Sequence, residues 1–410
     1  MSGDPVPLDP IAHEYVTLAF GIDRLVPGFV DAYVGPPEVK ADALAGDAPE
    51  PRILMDQIQS LLIRVADADI VGSRVGYLAA QLEAMLTICR GLTGESIAYP
   101  DEVRHLFDVD AERTPEATLQ VAITELDAIL PGTGAVPDRM VAWRQQFQIS
   151  PETALRLIAI IQPEIRQRTL AFVELPEGEA IEYRFVQDRP WGGYNWYFGN
   201  GQSRVELNTD LPIEANKLTD LLCHEGYPGH HTEHTLKERL YLDHGFGEHA
   251  IQLINTPACI ISEGVATLAE EILFGPKGAI SFRQERVYPE ANISVDPVIE
   301  TRVAAATGAL RGVAGNAALM LHAEGRAAPE VLGYLTGFGL MSEANARKRL
   351  EFISDPLWRA YIFTYHAGYD LLRSWLDTGP AAERQSRFRV LLTEQVYPSL
   401  IMRWLAEASR

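Results

Sequence analysis

The sequence is poor in cysteine, in basic residues and in long apolar runs. Its three cysteines, Cys89, Cys223 and Cys259, show no CxxC spacing, which argues against a disulfide framework and favours reduced thiols. The 35 Lys and Arg are outnumbered by 56 Asp and Glu, for a net charge of -21, and such a surface repels nucleic acid and anionic membranes. No apolar run reaches the length of about 18 residues that a membrane span needs, and the first ten residues lack a secretory pattern. We expect a cytoplasmic protein without nucleic-acid or membrane partners.

The chain also lacks internal repeats, low-complexity tracts and a Gly/Ser linker, which favours one catalytic domain over 1–410. This domain could divide into a helical amino-terminal lobe (1–150) and a lobe carrying the active site (151–410). Apolar periodicity predicts a mainly α fold, and the exception is a small antiparallel hairpin or sheet near 181–209, with its turn at 199–201. The predicted helices are 11–33, 52–70, 76–93, 115–130, 138–147, 151–174, 211–227, 257–274, 296–323, 328–337, 342–352, 356–376 and 385–407.

The helix predicted over 211–227 ends in a histidine–glutamate pair. Glu225 falls on its apolar stripe, and a carboxylate placed there needs a cation or a hydrogen-bonded role. The residues that share this stripe are Leu211, Ala215, Leu218 and Leu222. His224 precedes Glu225 as in the helices of zinc peptidases, where a second histidine at i+4 completes the pair and the glutamate activates water.

The residue at i+4 from His224 is Pro228, which cannot bind a metal and which predicts that the helix kinks or stops at 226–228. Such a break could bring His230 to the place of the second histidine. His231 competes for this role, but on a continuous helix it lies two turns away, roughly 10 Å along the axis. His234, with charged neighbours, is expected on a solvated face or behind the ligands.

A third ligand is expected from the helix predicted over 257–274, which Thr256 caps and Pro257 opens. Glu263 lies there in apolar surroundings, and it is the candidate. Gly264 in a helix interior indicates the close approach of another element. Glu270 shares the face of Glu263 and is either a supporting carboxylate or a surface charge.

The segments HEGYPGHH at 224–231 and SEGVATLAEE at 262–271 resemble the bacterial family named domain of unknown function 885. That family shows HExxPGH followed by EGWAxYxE, and its helical zincin-like fold is similar to carboxypeptidase Taq and thimet oligopeptidase. The resemblance covers about 181–376, with Val265 and Leu268 departing from the family pattern. It implies a Zn²⁺ cofactor held by His224, His230 and Glu263, with Glu225 as the general base.

Three further residues are candidates for stabilising the oxyanion opposite the metal: His322, Tyr365 and His366. The resemblance to carboxypeptidase Taq implies a small peptide substrate cut near its carboxyl terminus, which requires a cation for the terminal carboxylate. The candidates for that cation are Arg302, Arg349 and Arg359. Two alternatives stay open: a metal hydrolase of non-peptide amides or esters, and a non-catalytic metal-binding helical protein. The sequence leaves open the oligomeric state and whether the metal is zinc or another divalent ion.

Overall fold

Helices dominate the computed structural model, which describes residues 6–189, 191–210 and 212–408, and the mainly α prediction is confirmed. The α-helices are α1 Pro10–Asp23, α2 Pro37–Ala43, α3 Pro51–Asp67, α4 Gly72–Leu92, α5 Tyr99–Phe107, α6 Glu116–Ile129, α7 Val136–Gln145, α8 Pro151–Thr169, α9 Ala215–Glu225, α10 His230–His244, α11 Pro257–Phe282, α12 Tyr288–Ala291, α13 Pro297–Ala309, α14 Val313–His322, α15 Ala328–Gly337, α16 Glu343–Ser354, α17 Ile362–Leu376, α18 Arg384–Thr393 and α19 Pro398–Ala408. Short 3₁₀ turns occupy Gly247–Ala250 and Ala381–Glu383, and a π-helical turn occupies Arg283–Val287.

The strands are β1 Val30–Tyr33, β2 Gln148–Ile149, β3 Ala180–Val186, β4 Gly193–Tyr197, β5 Gln202–Asn208, β6 Ile213–Glu214 and β7 Ile251–Leu253. β4 and β5 form the predicted antiparallel hairpin, with the turn at 199–201 between them. β3 also joins this sheet, but it runs parallel to β5 and gives the order β3-β5-β4. Two antiparallel pairs, β1 with β7 and β2 with β6, tie distant parts of the chain together.

Helix starts follow from capping side chains and prolines. Asp9 and Ser150 accept hydrogen bonds from backbone N–H groups in the first turns of α1 and α8, and each is followed by a proline at the first helical position. Proline is suited to that position because its missing N–H would have no helical partner there. Such caps satisfy N–H groups that the helix itself leaves unpaired, so they fix where it begins.

Four predicted helices depart most from the observed ones, and one of them, predicted over 385–407, is interrupted between α18 and α19. The helix predicted over 11–33 ends at Asp23, whose carboxylate accepts the N–H groups of Gly28 and Val30 and leads the chain into β1. The helix predicted from 211 begins at Ala215, because β6 pairs with β2 just before it, and Leu211 lies outside the described residues. The helix predicted over 296–323 breaks between α13 and α14.

The hydrophobic side chains form separate buried clusters. One cluster joins α1–α4 to β7. The largest runs from α5 through α8, α9 and α11 to α17, so α5–α7 share their core with the helices that carry the HEGYPGHH motif. The proposed lobe boundary at residue 150 stays a prediction.

Helices α11 and α17 pack closely against each other. A Cβ built on Gly264 would lie 2.8 Å from the carbonyl carbon and oxygen of Gly368, so the two backbones meet where neither residue has a side chain. This contact is the close approach that Gly264 predicted, and it sets α11 against α17 at the candidate site. Within the described ranges, no helix combines the length and hydropathy of a membrane span.

Candidate metal centre

The junction between α9 and α10 brings the motif histidines together. α9 ends at Glu225 and α10 begins at His230, so the chain breaks where Pro228 predicted. The N–H of Gly229 bonds back to the carbonyl of Cys223 at 3.0 Å. A Cβ on Gly229 would lie 1.9 Å from the carbonyl oxygen of His224, so this return requires glycine.

Three candidate ligands converge at this junction. His224 Nε2 lies 3.5 Å from Glu263 Oε2, and His230 Nε2 lies 3.8 Å from Glu263 Oε1. The candidate ligand atoms of His224, His230 and Glu263 all lie within 4.8 Å of one another. Donors of a tetrahedral zinc ion at about 2.0–2.1 Å are roughly 3.4 Å apart, so small side-chain adjustments suffice for these three to share one ion.

The hydrogen bonding and burial of Glu263 favour a cation at this position. Its Oε1 accepts a hydrogen bond from the Tyr361 hydroxyl at 2.6 Å, whereas the buried Oε2 has no hydrogen-bond partner among the described residues. Burial raises the pKa of Glu263, because the charged form is desolvated. A buried carboxylate that faces two imidazoles and has one oxygen without a hydrogen-bond partner among the described residues fits a bound divalent cation.

Glu225 lies beside the ligands on the cavity wall. Asn195 of β4 fixes the end of α9 by donating to the Glu225 carbonyl at 2.6 Å. Burial raises the pKa of the Glu225 carboxyl to about 7, while nearby His224 opposes this shift. A general base works best with a pKa near the operating pH, so the position and environment of Glu225 suit proton transfer.

Ser262 orients the His230 ring through the nitrogen that does not face Glu263. Its Nδ1 lies 3.2 Å from Ser262 Oγ, and the Ser262 hydroxyl in turn donates to Glu233 Oε2 at 2.5 Å. Because Nδ1 is engaged by Ser262, Nε2 is the nitrogen that faces Glu263. Burial lowers the pKa of His230 well below its usual value, which keeps the neutral, metal-binding form of the ring.

His231 occupies a different environment. It is fully buried, with Nδ1 2.8 Å from Ser203 Oγ and Nε2 2.9 Å from Glu179 Oε2. Both ring nitrogens are therefore used in joining α10 to the sheet. The structure places His230 beside His224 and Glu263, and it places His231 outside that group, against Ser203 and Glu179. His234 lies on the cavity wall with its ring stacked on that of His230, not on a solvated face.

The candidate oxyanion residues separate into two groups. Tyr365 lines the cavity and lies within electrostatic range of Glu263 and Glu225. His322 lies away from the cavity wall, because its Nε2 is 2.6 Å from the Ile353 carbonyl oxygen.

His366 is likewise absent from the cavity wall, since it packs against Phe363 and against the backbone at Gly315. The structure does not bring His322 and His366 together with the candidate ligands, and their role in holding an oxyanion stays a prediction.

The three candidate arginines also lie in different surroundings. Arg349 lines the cavity, whereas Arg359 is paired with Glu102 at 2.8 Å. Arg302 is exposed and paired with Glu125 at 2.7 Å.

Glu270 is neither a supporting carboxylate of the ligands nor a free surface charge, because it pairs with Arg283 at 2.6 Å. It serves the packing of α11 rather than the candidate metal centre.

Several residues of the site were not predicted. Tyr361 holds Glu263, and it lies four residues before Tyr365, so helical spacing could have indicated it. Asp31 of β1 also lines the cavity and accepts a hydrogen bond from Tyr194 of β4. No sequence signal marks Asp31, because β1 reaches the site through its pairing with β7.

The candidate site opens into a cavity of about 1460 Å³. Ligand pockets commonly measure about 300–1,000 Å³, so this one has room for a peptide of a few residues. Its walls come from α1, α4 and β1 on one side and from α16 and α17 on another. The candidate metal centre is one part of a large, mixed polar and apolar surface.

Comparison with solved structures shows the fold that carries this site. The chain is similar to a protein described as "the putative lipoprotein from Colwellia psychrerythraea", with a TM-score of 0.53 and 15% identity over 99% of this chain and 77% of that one. At this identity the likeness establishes a shared fold.

Two slighter likenesses, both below a TM-score of 0.5, support no further argument. A lipoprotein of unknown function from Shewanella oneidensis gives 0.46 and 12% identity over 90% of this chain and 76% of that one. An M32 carboxypeptidase from Deinococcus radiodurans R1 gives 0.40 and 11% identity over 97% and 94%. Neither the protein-family models nor the curated proteins include a match to the sequence.

Proposed function

We propose that this protein is a zinc-dependent peptidase that hydrolyses short peptides near their carboxyl terminus. The observation that supports it most strongly is the convergence of three candidate ligand atoms within 4.8 Å. Glu225 stands beside them on the wall of a cavity large enough for a peptide. The resemblance of HEGYPGHH to domain of unknown function 885 and to helical zinc peptidases points in the same direction.

His224, His230 and Glu263 would hold the ion. They supply two neutral nitrogens and one carboxylate, a donor set used by catalytic zinc sites that keep one position open. A bound Zn²⁺ would act as a Lewis acid that lowers the pKa of water and polarises a carbonyl. The unpartnered Oε2 of Glu263 is the atom of this chain that most needs such a cation.

Glu225 would move the proton. In the ionised form it accepts a proton from the attacking water, and it then delivers this proton to the nitrogen that leaves with the second product. Its carboxyl, with a pKa of about 7, can change protonation state near neutral pH. Asn195 holds the helix end that carries it, so the group is positioned before substrate arrives.

Two tyrosines divide the supporting roles. Tyr361 donates to Glu263 and therefore orients a ligand. Tyr365 faces the cavity near Glu263 and Glu225, where its hydroxyl could donate to a carbonyl oxygen that gains negative charge. A preorganised donor of this kind is worth several kcal/mol in acyl-transfer enzymes, roughly 2.7–4.

Arg349 would bind the terminal carboxylate of the substrate. It lies on the cavity wall within electrostatic range of Tyr365, and burial lowers its pKa. In the described part of the chain it makes no ion pair, whereas Arg302 and Arg359 are paired with glutamates. A partly buried guanidinium without a carboxylate favours a ligand that brings one.

The test compares peptides with a free carboxyl terminus and their C-terminal amides, using the zinc-loaded full chain and mass spectrometry. We expect loss of single carboxyl-terminal residues and a marked preference for the free acid. Arg349→Gln should lower kcat/KM for the free acid about 10- to 100-fold, because a charge-assisted hydrogen bond contributes about 1.5–3 kcal/mol. Arg302→Gln is the matched control and should leave the preference intact.

Two other results would redirect the proposal. Equal cleavage of acids and amides, or a predominance of internal cuts, would refute the carboxyl-terminal direction but retain a zinc peptidase. Hydrolysis of esters or simple amides without any cleavage of peptides would favour the alternative metal hydrolase.

A further inference from the structure

The amino-terminal wall of the cavity has no part in the chemistry proposed above. We use this name for the polar cavity-lining side chains of α1, α4, β1 and β7, namely Tyr15, Asp31, Tyr77, Gln81 and Gln252. The wall faces the cavity as a set of hydrogen-bonding groups. Its residues are distant in sequence, and the pairing of β1 with β7 and the packing of α1 on α4 bring them together.

Two carboxamides on this wall are unsatisfied. Gln81 is fully buried, yet neither its Oε1 nor its Nε2 has a hydrogen-bond partner among the described residues. The buried Oε1 of Gln252 is also without a partner there. Buried polar groups are normally hydrogen-bonded, and leaving one unpaired costs about 1–3 kcal/mol. Two such groups behind one cavity wall mark a polar region that the described residues of this chain leave unsatisfied.

Asp31 gives this surface a charge. It accepts a hydrogen bond from the Tyr194 hydroxyl, and within residues 6–189, 191–210 and 212–408 it forms no ion pair. Arg74 of α4 is not available to it, because that guanidinium binds Glu248 and Asp9. Burial raises the pKa of Asp31, and the nearby Glu263 raises it further, although Tyr194 opposes the shift.

The charges of the carboxylates around the cavity indicate the charge of the missing ligand. A divalent cation at the candidate metal centre would balance the charges of Glu263 and Glu225. The negative charge of Asp31 would then remain uncompensated in a poorly solvated place, which is costly. A second metal does not fit, because Asp31 belongs to no group of three ligand atoms in the described residues. A single positive charge with several N–H donors satisfies Asp31, which lines the cavity and has no ion-pair partner among the described residues.

We propose that the amino-terminal wall binds the free α-ammonium group of a short peptide substrate, with Asp31 as its counter-charge. This inference rests on the proposed peptidase function and narrows its substrate class. Asp31 interacts electrostatically with Glu225 and Glu263, so the ammonium group is held close to the reacting centre. With Arg349 on the wall formed by α16 and α17, the cavity recognises both ends of the substrate. The substrates are therefore free peptides of only a few residues, and blocked or long peptides are excluded.

The test uses two tetrapeptide libraries with the same randomised positions, one with free amino termini and one N-acetylated. Zinc-loaded full-length protein should cleave the free library at least about ten times faster, which corresponds to about 1.4 kcal/mol. Asp31→Asn keeps an acceptor for Tyr194 but loses the charge. It should lower the ratio of the rates on the free and acetylated libraries to about one.

Asp220→Asn is the matched control, because it removes one negative charge from another wall of the same cavity. It should preserve the preference for free amino termini. Equal cleavage of the two libraries by the wild type would overturn the inference. So would an equal loss on both libraries in Asp31→Asn, since that result indicates a structural role.

A binding measurement separates this inference from the proposed function. The Glu225→Gln variant should retain the free tetrapeptides in preference to the acetylated ones at equilibrium, and the added Asp31→Asn change should abolish this preference. Binding with that preference but no hydrolysis by the wild type would refute the peptidase function alone. Hydrolysis without the preference would refute the role of Asp31 alone.

Discussion

His230 and His231 are adjacent in sequence, and the structure predicts opposite consequences when each is replaced by alanine. His230→Ala removes a candidate zinc ligand whose Nε2 faces Glu263. His231→Ala removes a buried ring that joins α10 to Ser203 and Glu179. We expect the first variant to lose zinc affinity with little loss of metal-free stability. The second variant should lose stability while its folded fraction still binds zinc.

The expected loss of stability in His231→Ala follows from the contacts that remain at Glu179. Glu179 keeps its hydrogen bonds from Tyr227 and Arg166, but it loses the imidazole and gains a cavity. Breaking a buried charged contact by removing one partner costs about 3–5 kcal/mol. With an unfolding entropy of about 2.1 cal/mol/K per residue and 410 residues, the Tm falls by about 3–6 °C.

For His230→Ala we expect a small loss of stability and a large loss of zinc affinity. Its loss removes one hydrogen bond, to Ser262, so the metal-free protein should lose about 1 kcal/mol. Loss of a residue that merely supports a metal ligand lowers affinity about 10- to 100-fold, so loss of a ligand itself should exceed that range.

The assay is a pair of measurements on each variant. Thermal unfolding in the presence of a chelator reports metal-free stability, and competition with a zinc indicator reports the zinc Kd of folded protein. Equal zinc affinities in the two variants, or tighter zinc binding by His230→Ala than by His231→Ala, would refute the assignment of the two histidines.

Three further predictions concern the base, the buried carboxylate and the helix contact. Glu225→Gln should retain zinc and the wild-type Tm while kcat falls by at least about 100-fold; loss of zinc would make Glu225 a ligand instead. Burial alone would raise the pKa of Glu179, but hydrogen bonds from its neighbours outweigh it and lower the pKa to about 2. Its contribution to stability is thus present above about pH 4.5 and declines toward pH 2. The difference in urea midpoint between wild type and Glu179→Gln should therefore shrink as the pH falls. A difference that stays constant with pH would contradict this. Gly264→Ala should destabilise by about 1–3 kcal/mol in urea unfolding because its Cβ meets the backbone of Gly368, whereas Gly333→Ala, with open space around it, should be neutral or stabilising.

Most of the helices were predictable because their apolar periodicity is a local property, but α2, α5 and α10 were not predicted. The strands β1, β2, β6 and β7 were not, since each is only two to four residues long. Their extended form depends on partners far away in the sequence, such as the pairing of Val30 with Leu253. The misplaced start of α9 has the same origin, because β6 pairs with β2 before the helix can begin.

The candidate ligands were predictable for a related reason. His224, Glu225 and His230 lie within seven positions, and Pro228 indicated the break between the helices. Glu263 was indicated by a carboxylate in apolar surroundings. Asp31 could not be found this way, because its place on the cavity wall is created by tertiary packing.

The two histidines that lie away from the cavity wall, His322 and His366, show the converse. A histidine on a helix carries no mark in the sequence of what it faces. His322 faces the carbonyl of Ile353, and His366 packs against Gly315 of α14. Tertiary partners decided both positions.

The central claim is that His224, His230 and Glu263 form a zinc site, and its most direct test is the metal content of the purified protein. Full-length protein prepared without chelator should contain about one zinc per chain by elemental analysis, and added zinc should raise the Tm of stripped protein. Glu263→Gln keeps the shape of the side chain and an acceptor for Tyr361, but it should contain little zinc. Wild-type protein with no transition metal and no thermal shift on adding zinc, or Glu263→Gln with full zinc content, would contradict the account.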